Sequence, residues 1–299
     1  MNKLEKLKSD LKERIFILDG AMGTMVQSYK LDEAAYRGDR FKNNKILLKG
    51  NHDVLTLTQP QVICEIHQSY IEAGADLICT NTFNSNAISM AEYGLQELVY
   101  ELNVEAARLA RKAIEKHNHL KDKPRYVVGS IGPTNRTASL SPDVNKPGFR
   151  SISFDELKLA YREQVRGLLD GGADIMLVET IFDTLNCKAA LLAINEESQK
   201  RGIVVPVMVS GTIADQSGRL LAGQTVEAFY NSVSHVDLLS IGLNCAFGAK
   251  RLRPFVEEMS AISAVNVSVH PNAGLPDLFG QYTQTAIEMA NLIEDYLQN

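Results

Sequence analysis

Apolar positions along this chain alternate between two rhythms. Short runs that are apolar and often β-branched occupy residues 15–19, 76–83, 125–131, 174–179, 204–209, 238–245 and 265–269. They are nearly continuous rather than apolar at every second position, which is the pattern of strands covered on both faces. Helical spacing fills the intervals. In residues 60–74 it is carried by Val62, Ile63, Ile66, Tyr70 and Ile71 behind Pro60, a residue suited to a first helical turn. Further helices are predicted over 87–116 (with Gly94 dividing it), 153–170, 183–200, 226–235, 249–260 and 283–297, and Leu4, Leu7 and Leu11 make residues 1–14 an amphipathic helix. Ser153 followed by Glu156 reads as a capping box, and Gly171-Gly172 stop the helix that follows. Strand-then-helix alternation of this kind demands a parallel sheet.

No Gly-x-Gly-x-x-Gly follows the first strand, which disfavours a dinucleotide-binding sheet. An α/β fold of the (β/α)8 TIM-type barrel fits better, yet such a barrel takes eight units and only seven are counted. The expectation is one barrel domain over residues 1–299 whose last unit is missing, leaving parallel edges of the sort that promote association. Two polar stretches, 27–57 and 135–153, are long for loops in a compact domain and are expected to be covering flaps, a lid or a docking surface.

Composition narrows the class. With 299 residues, 45% of them apolar, the chain can bury a large core. A net charge of −5 gives no basic footprint for nucleic acid. No apolar stretch approaches the roughly 20 residues needed to cross a bilayer. Four widely spaced cysteines do not form a secreted disulfide framework, so a cytoplasmic protein with reduced thiols is expected.

In parallel barrels the chemistry collects at the carboxyl ends of the strands. Those ends are Asp19, Asn81, Thr134, Glu179, Ser210, Asn244 with Cys245, and His270 with Asn272. Each has an ordinary reading too. An unpaired thiol is most often a small core hydrophobe, Asp19 before Gly20 suits a turn, and Asn81 and Asn244 suit loop backbone. A carboxylate closing an apolar strand, as Glu179 does, costs several kcal/mol unless an ion pair or a ligand compensates it.

The residues at these ends resemble the homocysteine S-methyltransferase family. The similarity lies in Leu18-Asp19-Gly20-Ala21-Met22-Gly23-Thr24, Thr80-Asn81-Thr82-Phe83-Asn84, Gly132-Pro133-Thr134-Asn135-Arg136, Val178-Glu179-Thr180, Gly242-Leu243-Asn244-Cys245 and His270-Pro271-Asn272-Ala273-Gly274. Phe182-Asp183-Thr184-Leu185-Asn186, Ser210-Gly211-Thr212 and Ser217-Gly218-Arg219 are similar to the homocysteine-binding modules of cobalamin-dependent methionine synthases.

That resemblance implies a methyltransferase of methionine biosynthesis in which zinc, held by three cysteine thiolates, activates the sulfur of L-homocysteine. Cys245 matches one ligand and is the catalytic position. The other two belong to a Gly-Gly-Cys-Cys-Gly motif that this sequence lacks, and Cys64, Cys79 and Cys187 stand elsewhere. Asp19 and Glu179 are implied at the substrate ammonium group, with Gly20, Asn81 and Asn244 also at the substrate. The glycines of the 20–24 turn offer backbone N–H groups to its carboxylate. The methyl group is implied to come from methylcobalamin on a separate module, with a methyltetrahydrofolate-binding module upstream. Two alternatives stand beside this: a free-standing homocysteine methyltransferase using a sulfonium or betaine donor, and a non-catalytic module without the full zinc site.

Overall fold

A computed structural model describes residues 3–117, 123–274 and 284–298. Twelve helices and six strands are present among these residues. The strands are β1 (Leu77–Cys79), β2 (Tyr126–Ile131), β3 (Ile175–Ile181), β4 (Val207–Gly211), β5 (Ser240–Gly248) and β6 (Asn266–Asn272), ordered β1-β2-β3-β4-β5-β6 in one sheet. The helices are α1 (Lys3–Glu13), α2 (Met22–Ser28), α3 (Glu33–Arg37), α4 (Leu55–Thr58), α5 (Pro60–Glu72), α6 (Ala87–Met90), α7 (Val99–Lys116), α8 (Phe154–Asp170), α9 (Thr184–Arg201), α10 (Val226–Val233), α11 (Ala249–Ile262) and α12 (Ala286–Gln298). Parallel pairing in chain order, with a helix in every crossover, is the α/β architecture of an incomplete TIM-type barrel. Among the described residues no helix is long and apolar enough to cross a membrane.

The chain divides into two compact units. The first comprises residues 1–136, 155–177 and 192–206, and the second comprises 137–154, 178–191 and 207–299. In the first, β1 and β2 pair in register Leu77↔Tyr126 to Cys79↔Val128. Ile78 and Val127 pack with Cys64 and Ile71 of α5 and with Ala107, Ala110 and Ala113 of α7, where small side chains let helix and strands approach closely. The segment 15–19 forms only one parallel bridge, Leu18↔Leu77, instead of the expected full strand. Buried Asp76 holds it in place, accepting the Ile17 N–H at 2.9 Å and pairing with Arg14 at 2.9 Å and Lys123 at 2.8 Å.

A further expectation needs correction in this unit. Residues 27–57 are not a polar flap. Tyr36, Leu48, Val54 and Leu55 are buried in one cluster with Ile63 and Ile66 of α5 and Val99 and Leu102 of α7. Their polar neighbours cap backbone: Asp32 accepts the Ala35 N–H at 2.8 Å, and Glu33 accepts the Leu48 and Lys49 N–H groups. Residues 87–116 divide at Gly94 as expected, with α6 and one short 3-10 turn before it and a second 3-10 turn and α7 after it. Gly94 sits between the turns with a left-handed φ of 68°, a conformation that costs other residues dearly.

In the second unit β4 pairs with β5 from Met208↔Ser240 to Gly211↔Leu243, and β5 with β6 from Ser240↔Asn266 to Asn244↔His270. The long 137–153 stretch is neither helix nor strand, as expected, but it is pinned down. Asp183 accepts the Ser139 N–H and Asn186 the Ala138 N–H, both at 3.0 Å.

Candidate functional site

The second unit brings three of the predicted residues together. The β5–β6 ladder is regular up to Asn244↔His270 and resumes at Gly248↔Asn272, so β5 uses four residues where β6 uses two. The surplus bulges out of the ladder, and Cys245 and Ala246 take left-handed backbone with φ of 57° and 59°. Bulges re-aim side chains beside functional sites, and this one delivers Cys245 to the surface while Asn244, one residue earlier, stays 3% exposed. Such backbone in non-glycine residues costs on the order of 1–3 kcal/mol each and persists only where neighbours enforce it.

Asn244 supplies the enforcement. Its Oδ1 accepts the Ser210 hydroxyl at 2.6 Å and the Thr180 N–H at 3.2 Å. Its Nδ2 donates to Thr180 Oγ1 at 2.8 Å and to Cys245 Sγ at 3.1 Å, and its carbonyl accepts the Thr212 hydroxyl at 2.7 Å. One buried amide thereby ties the ends of β3, β4 and β5. Thr180 is itself left-handed, with φ of 57°, and for a β-branched residue that is a true outlier. It directly follows Glu179. Burial pushes the Cys245 thiol above its ordinary value; the Asn244 hydrogen bond opposes this, and the Glu179 carboxylate adds the smallest effect, also upward. The charge on Glu179 is thus felt at Cys245, though less than burial or the Asn244 amide. His270, the ladder partner of Asn244, is pushed down to about 4 by burial and is neutral at pH 7.

In the first unit, Asp19 is buried and its carboxylate accepts the Cys79 N–H at 2.9 Å. Gly20 tolerates no side chain, because a Cβ there would lie 2.7 Å from the Tyr70 ring. The Tyr70 hydroxyl donates to Ala21 O at 3.2 Å, and burial together with the Asp19 charge pushes it up to about 12. Asn81 is buried with its amide donating to His52 O at 2.8 Å and Thr56 Oγ1 at 3.3 Å, so that it steadies the segment ahead of α4. Cys64 and Cys187 are buried, and burial pushes Cys187 up to about 12. Thr180 and Thr212 are the contributors that sequence reading did not single out. Their signal was their place beside Glu179 and Ser210 at strand ends, within the Val178-Glu179-Thr180 and Ser210-Gly211-Thr212 motifs.

The three-thiolate zinc site implied by the resemblance does not fit these residues. A catalytic zinc needs three protein ligands. Among the described residues no group of three His, Cys, Asp or Glu side chains is placed to hold a metal, and Cys245 is the one exposed thiol of the four.

A thiol displayed on a bulge at one strand's carboxyl end and a carboxylate at another's lie where α/β barrels collect their chemistry. The homocysteine S-methyltransferase family model matches residues 16–299, and the chain belongs to that family of methyltransferases. Among solved structures it is similar to the homocysteine methyltransferase MmuM from Escherichia coli. The metallated form is 23% identical with a TM-score of 0.72, covering 90% of this chain and 87% of that one. The oxidized form is 21% identical with a TM-score of 0.75, covering 98% and 91%. At these identities the likeness is one of fold.

Proposed function

We propose that the chain is the homocysteine-binding module of a cobalamin-dependent methionine synthase, accepting a methyl group on L-homocysteine sulfur to form methionine. The observation that supports the reading is the Asn244 cluster, which bonds Cys245 Sγ and the hydroxyl of Thr180, the residue directly after Glu179. In the second unit Glu179 takes the substrate ammonium and Asn244 holds the backbone beside it, while the substrate roles of Asp19, Gly20 and Asn81 rest on the family resemblance alone. Cys245 marks the sulfur end. The donor methyl is presented from outside the chain, on a methylcobalamin-binding module supplied in turn from methyltetrahydrofolate. The donor set among the described residues does not make a three-ligand zinc site.

A second reading is a free-standing homocysteine methyltransferase with a sulfonium or betaine donor, the similar Escherichia coli MmuM structures being of a homocysteine methyltransferase. Incubating the full chain with L-homocysteine and, separately, methylcobalamin, S-methylmethionine or betaine distinguishes them. Methionine formed with methylcobalamin alone supports the first reading. Turnover with either small donor and none with methylcobalamin replaces it by the second.

A further inference from the structure

We infer that Thr180 is a positioning residue whose hydroxyl, acting through Asn244, sets the two ends of the substrate site relative to one another. This rests on the reading of Glu179 as the ammonium side and Cys245 as the sulfur side. Nothing about a β-branched residue favours left-handed backbone, yet Thr180 adopts it at φ of 57°, directly after Glu179. Its N–H and Oγ1 both engage the Asn244 amide, at 3.2 and 2.8 Å, and the same amide nitrogen reaches Cys245 Sγ at 3.1 Å. The chain from Glu179 to Cys245 therefore runs through two adjacent bonds of one buried side chain. That side chain is fixed on its other edge by Ser210 at 2.6 Å.

Cys245 is left-handed as well, so two unfavourable backbone conformations are held by a single hydrogen-bonded hub. Release of either one loosens the other. Strain concentrated where an outlier abuts a carboxylate and a displayed thiol is the pattern of a preorganised site rather than of a folding requirement. The hydroxyl of Thr180 bonds the Asn244 amide at 2.8 Å. It acts by fixing the amide that holds the thiol, and by fixing the turn that aims the carboxylate.

The test uses the full chain and a pair of variants. Thr180→Val keeps the shape and removes the hydroxyl, whereas Thr180→Ser keeps the hydroxyl and removes the methyl. Iodoacetamide labelling of Cys245 is followed by mass spectrometry over a range of pH, and the limiting rate of the fully ionised thiolate is compared, which separates position from ionisation. For T180V that limiting rate should change by roughly threefold or more, the size of coupling expected for residues in one network. The L-homocysteine affinity of T180V, by calorimetry, should weaken on the order of fivefold, while T180S stays near wild type in both measurements. A T180V chain matching wild type in both overturns the inference. Equal losses in T180V and T180S, accompanied by a lowered unfolding midpoint, also overturn it by showing a purely structural residue. Wild-type chain that fails to bind homocysteine refutes the substrate reading, and the labelling arm then still decides for or against the clamp.

Discussion

Asp76→Asn tests how the segment bearing Asp19 and Gly20 is held. Asp76 is fully buried at the start of β1, yet three donors converge on it: Arg14 at 2.9 Å, Lys123 at 2.8 Å and the Ile17 N–H at 2.9 Å. Burial alone would raise its carboxyl. The hydrogen bonds from Arg14, Ile17 and Lys123 outweigh that and hold it below its ordinary value of 3.8. Residues 15–19 make one bridge to β1 and share backbone hydrogen bonds with Asp76 and Leu77, and this carboxylate adds a side-chain tie to them. Breaking a buried pair costs about 3–5 kcal/mol. Here Arg14 and Lys123 remain 33% and 25% exposed, so water recovers part of the loss, and about 2–4 kcal/mol is expected. That corresponds to a drop of roughly 5–10 °C in unfolding midpoint for a chain of this size.

The sign with pH follows from the lowered value. Asp76 contributes stability that is fully present above 3.8 and is lost as pH falls through its lower folded-state value. Urea unfolding of wild type and D76N at pH 7 and in steps down to pH 3 should therefore show a gap that is widest near neutrality and narrows on acidification. A gap below about 0.5 kcal/mol at pH 7 would refute the reasoning, because it would rank Asp76 with ordinary surface substitutions. So would a gap that stays constant with pH.

Three other substitutions probe separate parts of the molecule. Glu179→Gln removes a charge that raises the Cys245 thiol, so the pH profile of Cys245 alkylation should move to lower pH; an unmoved profile would separate the two residues. His67, buried in α5 with neither ring nitrogen bonded among the described residues, is pushed down to about 4 by burial. Its neutral form is at no disadvantage above 6.5, and folding stability falls as pH drops from 6.5 toward 4. His67→Leu should thus gain on wild type steadily across that window, and parallel stability curves would contradict it. Asp183→Ala removes the carboxylate that receives Ser139 N–H at 3.0 Å and Leu185 N–H at 2.9 Å. Limited proteolysis within 143–150 should speed up several-fold, as a local opening cost falls by about 1 kcal/mol or more, and an unchanged cleavage rate would show that the loop is held elsewhere.

The α/β alternation was legible because its signal is repeated. Continuous apolar runs such as 126–131 become fully buried strands, and Pro60 and Ser153 mark helix starts to within a residue. What failed had no period to read. Residues 27–57 bury Tyr36, Leu48, Val54 and Leu55 at irregular spacing, and only caps such as Asp32 and Asn51 hinted that the backbone there is ordered. The 15–19 run looked like a full strand by composition, but Ile15 and Ile17 remain 56% and 53% exposed. An apolar run signals burial only when something packs against both faces.

Cys245 was legible by position and illegible by conformation. A strand end before a turn into a helix is where a barrel places its chemistry, and that much follows from order along the chain. The bulge does not. Whether β5 spends four residues against two on β6 depends on φ at Cys245 and Ala246, and neither residue type favours a left-handed value. Had the ladder run straight through, Cys245 would have occupied a regular ladder position immediately after the buried Asn244. The distortion is sustained by polar groups arriving from β3 and β4: Thr180, Ser210 and Thr212, all on one amino-acid unit, Asn244. Those partners come together only through the parallel order of three strands that are distant in sequence. A thiol's display is therefore set by the sheet as a whole, and no local window of sequence around Cys245 carries enough information to specify it.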